Sequence, residues 1–163
     1  MWLMYLKGTF KLMIPAKVKD FLDKHCLLAI EHEEGSTATS VMAAEKLGVE
    51  VGQIAKSLLL KNKEGQFFLI LCAGDKKISS SKVKEITKSK AEFTKPQETI
   101  DVTGFAIGGV CPFGLDNVPL YIDKSLSVYD AVYPAAGTAS SSVKTSFKQL
   151  LGILNAKECD VTA

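Results

Sequence analysis

Residues 54–73 read Ile54-Ala55-Lys56-Ser57-Leu58-Leu59-Leu60-Lys61, then Asn62-Lys63-Glu64-Gly65, then Gln66-Phe67-Phe68-Leu69-Ile70-Leu71-Cys72-Ala73. Two apolar runs of strand length flank four residues of turn composition, which predicts a β-hairpin over 54–61 and 66–73. Upstream, Pro15 opens a helix whose apolar positions Val18, Phe21 and Leu22 recur at helical spacing. A strand is expected over 27–31. Thr39 or Ser40 caps a second helix through Met42, Ala43, Ala44 and Leu47, stopped by Gly48. Downstream come a lysine-rich helix over 79–88 and a short strand over 91–93. Thr94 and Gln97, with Pro96 in the first turn, start another helix. Strands are expected over 118–122 and 131–135. Ser146 and Gln149 form a capping box for a last helix over 147–154. Hairpins with interspersed helices, lacking regular βαβ alternation, make the class α+β with a mainly antiparallel sheet.

The chain has 163 residues, 47% of them hydrophobic, which suits one domain with a real core. Its longest apolar run, residues 67–73, falls far short of the roughly 20 residues of a membrane helix. The opening Met1-Trp2-Leu3-Met4-Tyr5-Leu6-Lys7 lacks the pattern of a signal peptide. Residues 1–12 read as an N-terminal extension, with Met13 as an alternative start and residues 13–163 as the single domain. Cys26, Cys72, Cys111 and Cys159 show no C-x-x-C or zinc-finger spacing. Reduced thiols, a cytoplasmic location and no metal are the expectation.

All 20 basic residues are lysines. Without arginine, bidentate reading of guanine or phosphate is lost, so a sequence-specific DNA binder is disfavoured. Lysine still neutralises phosphate as a point charge. Residues 56–95 hold ten lysines against Glu64, Asp75, Glu85 and Glu92. That stretch is either a solvated face or a docking surface for a polyanion.

Three features carry candidate chemistry. Lys56 shares a strand face with Ile54, Leu58 and Leu60, the more apolar of the two by alternation. It either snorkels at an edge or presents its ammonium inside a pocket. Residues 103–114, Thr-Gly-Phe-Ala-Ile-Gly-Gly-Val-Cys-Pro-Phe-Gly, hold four glycines and a proline and form no regular element. Backbone N–H groups in such a loop can hold an anion or a carbonyl that gains charge. Cys111 within it is a conceivable nucleophile, with only His25 and His32 available as bases. Residues 135–142, Ala-Ala-Gly-Thr-Ala-Ser-Ser-Ser, are a turn or the lining of a small pocket.

Taken in order, the lysine strand, Gly74-Asp75, the glycine segment, Ile122-Asp123-Lys124-Ser125-Leu126 and the Ala-Ala-Gly-Thr loop resemble the YbaK / prolyl-tRNA-synthetase-associated editing domain family. The resemblance spans about residues 15–155, and its most specific part is the G-x-x-x-P motif at Gly108, Gly109, Val110, Cys111 and Pro112. It implies an α+β fold on a mixed, barrel-like sheet, and hydrolysis of the ester joining a wrong amino acid to the tRNA 3′ end. It implies that Lys56 holds the substrate end and that the backbone from Gly108 to Pro112 positions the scissile carbonyl. Gly137 and Thr138 shape the amino-acid pocket; Thr39 and His32 match family positions more loosely. Two departures stand out. Cys111 occupies a position often held by serine, and Ala139 and Ser140 follow the Ala-Gly-Thr loop where proline and histidine are common.

The family works without a protein nucleophile, by substrate-assisted attack, and needs no cofactor. The implied substrate is tRNA(Pro) mischarged with cysteine, alanine or a similar small amino acid, with prolyl-tRNA synthetase as a partner and no membrane or DNA involved. Lys76, Lys77, Lys82, Lys84 and Lys88 are the candidate tRNA contacts. Two other classes stay open: a non-catalytic module that binds an aminoacyl or nucleotide ligand, and a hydrolase that uses Cys111.

Overall fold

The computed structural model of the chain describes residues 13–163, so the extension expected over residues 1–12 lies outside the described residues. The elements in chain order are α1 (Ala16–Lys24), β1 (Ala29–Glu31), α2 (Ser40–Leu47), β2 (Ile54–Asn62), β3 (Phe67–Ala73), α3 (Ser80–Thr87) and β4 (Ala91–Phe93). Then follow α4 (Pro96–Thr103), β5 (Leu120–Asp123), β6 (Tyr133–Pro134), β7 (Ser141–Val143), α5 (Phe147–Ile153) and β8 (Ala156–Cys159).

The β2–β3 hairpin forms where its composition places it, and Asn62 closes the turn. Its Oδ1 accepts from the backbone N–H of Glu64 (3.1 Å) and of Gln66 (2.9 Å), a side chain standing in for backbone. The cap expected at Thr94 does not form: α4 starts after Lys95 with no side-chain cap, and Thr94 Oγ1 bonds Leu59 O (3.3 Å) and Thr99 Oγ1 (2.7 Å) instead. Other expected caps do. Thr39 Oγ1 accepts from Met42 N–H at 3.2 Å, Gly48 ends α2 with φ of 69°, and Ser146 Oγ accepts from Gln149 N–H at 3.1 Å.

The main sheet runs β4-β2-β3-β5-β8, with β6 added to the other end of the β2 edge that carries β4; β1 and β7 form a separate pair. The class is α+β with a mixed sheet, as expected. Parallel pairing is more prominent than hairpin reading suggests: β3–β5, β5–β8 and β2–β6 are parallel, whereas β2–β3, β2–β4 and β1–β7 are antiparallel. The chain returns to the sheet after β3 through helices, and such crossovers permit parallel neighbours. The sheet is open, so "barrel-like" describes it only loosely.

Helices cover both faces of the sheet. Ala55 and Leu59 of β2 join Leu69 and Leu71 of β3 in the larger core, with Val18 and Leu22 of α1 and Phe147 and Leu150 of α5. Leu60 and Ile70 look the other way, onto Val83 of α3 and Val161. The face holding Lys56 is therefore the thinner side of the sheet, contrary to its apolar count. Alternation tells which residues share a face; how many helices pack on that face is decided elsewhere in the chain. The C-terminal tail is tied down by Asp123, fully buried, whose carboxylate accepts from Ser125 N–H (3.0 Å), Val161 N–H (2.7 Å) and Thr162 Oγ1 (3.0 Å).

Candidate functional site

The outer edge of β2 is only partly covered. β6 pairs with Ile54 and Ala55, and β4 with Leu60 to Asn62. Between them the strand borders a cavity of about 270 Å³. Lys56, Ser57 and Leu58 form its floor. Its walls are residues 37–40 before and at the start of α2, Ile107, Gly108 and Val110 of the glycine segment, and Phe93 at the end of β4 with Thr94 after it. Tyr133, Ala135, Ser141 and Ser142 also line it. Phe93, 60% exposed, stands at the mouth.

Lys56 is half-buried, and its ammonium donates to the carbonyl of Lys76 in the turn after β3. Among the described residues the amine thus has a neutral acceptor, outside the lining of the cavity, and no acidic partner within ion-pair distance. Across the ladder lies Cys72. Burial pushes its thiol up to about 11, against the pull of the Lys56 charge.

Residues 104–119 form no regular element, as their glycines require. Lys17 of α1 pins the start of this segment: its ammonium donates to Thr103 O (2.6 Å) and lies 4.3 Å from the centroid of the Phe105 ring. Gly108 has φ of +86°, a conformation that side chains disfavour. At Gly109 the constraint is space: a Cβ there would fall 2.7 Å from the backbone of Thr138. The glycine segment therefore rests directly on the second loop, at the backbone of Gly137 and Thr138.

The structure divides the candidate residues. Lys56, Thr39, Gly108 and Val110 line one cavity. Gly109, Gly137 and Thr138 stand behind its wall as support. Thr138, 4% exposed, hydrogen-bonds Ser141 Oγ at 2.8 Å, and Ser141 in turn faces the cavity. Cys111 and Pro112 do not reach it. The Cys111 thiol is fully buried, 3.9 Å from Phe113 O, and burial pushes it up to about 12. Pro112 borders a different hollow, with Phe21 and Leu115. The His32 backbone N–H donates to Ser140 O at 2.7 Å, and the His25 ring packs 4.5 Å from that of Phe21. Neither histidine lines the cavity, so the Cys–His arrangement is not assembled.

Among the candidate tRNA contacts, Lys76, Lys77, Lys84 and Lys88 are exposed. Lys82 differs: its ammonium donates to Asp160 Oδ1 (3.3 Å) and to Thr162 O (2.9 Å), binding the C-terminal tail to α3. Sequence reasoning also passed over Ser57. Its hydroxyl is buried and has no hydrogen-bonding partner among the described residues. A serine interrupting Ile-Ala-Lys-Ser-Leu-Leu-Leu was the available signal.

The family model of the aminoacyl-tRNA editing domain matches residues 34–153, a span holding every residue that lines the cavity. The chain belongs to that family. This editing domain is 42% identical over 118 residues to the uncharacterized protein YwhH of Bacillus subtilis (strain 168), covering 72% of this chain and 75% of that one. It is 26% identical over 133 residues to the proposed Cys-tRNA(Pro)/Cys-tRNA(Cys) deacylase EbsC of Enterococcus faecalis (strain ATCC 700802 / V583), covering 80% and 79%. A crystal structure described as a proposed trans-editing enzyme for prolyl tRNA synthetase superposes with a TM-score of 0.82 at 30% identity, over 93% of this chain and 99% of that one.

Proposed function

We propose that this editing domain acts in trans as an aminoacyl-tRNA deacylase, and that tRNA(Pro) carrying cysteine, alanine or another small amino acid is its substrate. One observation carries the reading: Lys56 and the backbone at Gly108 and Val110 line a single cavity of about 270 Å³, large enough for an amino acid but not for the adaptor. The names of EbsC and of the trans-editing structure support the tRNA and the prolyl assignment.

In this reading the aminoacyl group enters the cavity and the tRNA end stays at its mouth. Lys56 turns its ammonium from the Lys76 carbonyl to an oxygen of the adaptor's end. The glycine segment faces the ester carbonyl. Attack on the carbonyl carbon comes from water, from the free hydroxyl of the terminal ribose or from the substrate's own side chain. The ester C–O bond breaks, and the ribose oxygen takes up a proton. With Cys111 sealed away and both histidines outside the cavity, the protein contributes position and electrostatics. The exposed lysines of α3 and the turn before it lie along the acceptor stem, and the reaction belongs in the cytoplasm beside prolyl-tRNA synthetase.

Purified protein is assayed against prolyl tRNA charged with proline, cysteine, alanine and serine. Hydrolysis of one or more mischarged species, with prolyl-tRNA spared, is expected. Lys56→Ala keeps the wild-type circular dichroism spectrum and loses roughly 100- to 1000-fold in rate, the usual cost of one donor to developing charge. Lys56→Arg is also poor, because a planar fork does not replace a point charge. Near-wild-type turnover by Lys56→Ala refutes the assignment. Tight binding of an aminoacyl-adenosine analogue with no cleavage of any ester replaces it with the non-catalytic module.

A further inference from the structure

At Ser57 no strand among the described residues pairs with the outer edge of β2. Thr94 N–H donates to Leu59 O at 3.2 Å, so Leu59 directs its backbone groups toward the outer edge of β2. By the alternation of the ladder, Ser57 directs its N–H and C=O the same way. β6 stops at Ala55 and β4 begins at Leu60, and neither reaches Ser57. The hydroxyl of the same residue is buried without a partner among the described residues. The N–H and C=O of a residue that lines the cavity are thus turned together toward its floor. Native proteins leave few buried polar groups unpaired, since each costs about 1–3 kcal/mol.

We infer that Ser57 anchors the main-chain part of the aminoacyl group, which docks against β2 as a strand one residue long. The inference rests on the deacylase reading and adds how the substrate is held. An aminoacyl ester carries an amine N–H and a carbonyl either side of its α-carbon. Those are the groups one residue brings to a hydrogen-bonded antiparallel pair. The amine donates to the Ser57 carbonyl, and the ester carbonyl accepts from the Ser57 N–H. The second bond places a fixed donor on the oxygen that becomes negative when the ester is attacked, beside the backbone of Gly108 and Val110. No aspartate or glutamate lines the cavity among the described residues, so neutral acceptors meet the amine. Recognition through main-chain groups demands an α-amino group whatever the side chain.

The test compares alanyl-tRNA with propionyl-tRNA, the same ester without its amine. Each enzymatic rate is divided by spontaneous hydrolysis in the same buffer. The propionyl ester is expected to be at least tenfold slower after that correction. Ser57→Pro removes an N–H that the sheet does not use, so the strand tolerates it, and the rate falls roughly 100- to 1000-fold. A readout independent of turnover, and of whether that variant folds, is the wild-type Ser57 amide in 15N-resolved NMR. It shifts downfield with adenosine carrying a 3′-amide-linked alanine, and the propionyl analogue, which keeps the carbonyl but lacks the amine, needs at least tenfold more ligand for the same shift. Equal corrected rates with an unmoved amide overturn the anchor while deacylation stands. A shifted amide with no ester cleaved keeps the anchor and overturns the deacylase reading.

Discussion

Replacing Gly109 by alanine inserts a methyl group where the cavity wall has no room for one. The new Cβ would lie 2.7 Å from both Cα and N of Thr138 and 2.8 Å from the carbonyl carbon of Gly137. Ordinary contacts start near 3.4 Å, so about 0.7 Å of separation must be found, by simple subtraction from the 2.7 Å approach. All three atoms are backbone, and no rotamer change supplies it. The 137–138 side is braced by the Thr138–Ser141 hydrogen bond, so the glycine segment is the part that gives way, carrying Gly108 and Val110 with it. Overpacking of this kind costs about 1–3 kcal/mol. A misplacement near 1 Å costs on the order of 100-fold in rate. Urea unfolding should therefore show Gly109→Ala destabilised by about 1–3 kcal/mol. Its deacylation kcat/KM, measured where the variant is fully folded, should fall roughly 10- to 100-fold. Gly152→Ala is the control: a Cβ there meets nothing within 4 Å, and the helical site gains about 0.5–1 kcal/mol. If Gly109→Ala loses neither stability nor rate, the packing argument and the role of the glycine segment both fail.

Three further outcomes are expected. Cys111→Ser, at a fully buried thiol, destabilises by about 1–3 kcal/mol as a hydroxyl is buried, yet deacylates at nearly the wild-type rate; a loss of several orders of magnitude would instead support a cysteine hydrolase. Charge reversal at Lys84 and Lys88 weakens tRNA binding and flattens its salt dependence. Reversal at Lys82 acts mainly on stability, because that ammonium holds Asp160 and Thr162; filter binding and thermal melts separate the two effects. Hydrogen bonds from Lys124 and then Lys82 hold the Asp160 carboxyl below its ordinary range. A depressed folded-state pKa gives stability that is complete above the unfolded value, near pH 3.9, and lost as pH falls through the folded one. NMR shifts of residues 160–163 should therefore report loosening of the tail below about pH 4, and Asp160→Asn should remove that dependence; a tail indifferent to pH in the wild type counts against it.

What the chain determined locally was legible from its order of residues. The β2–β3 hairpin, the Thr39 and Ser146 caps and the glycine stop at Gly48 all depend on side chains within four positions of the backbone they serve. Lys56 and the glycine segment were visible for a related reason: a charge in an apolar strand and four glycines in twelve residues are local anomalies. Tertiary structure decided the rest. β7, three residues of serine and valine, is a strand only because β1 lies beside it, and β8 only because β5 does. Cys111 belongs to the motif by sequence and to the core by packing. The cavity itself exists because β4 and β6 each stop short of Ser57. That gap is set by pairings between residues 29 or more apart, which no periodicity in a single strand records.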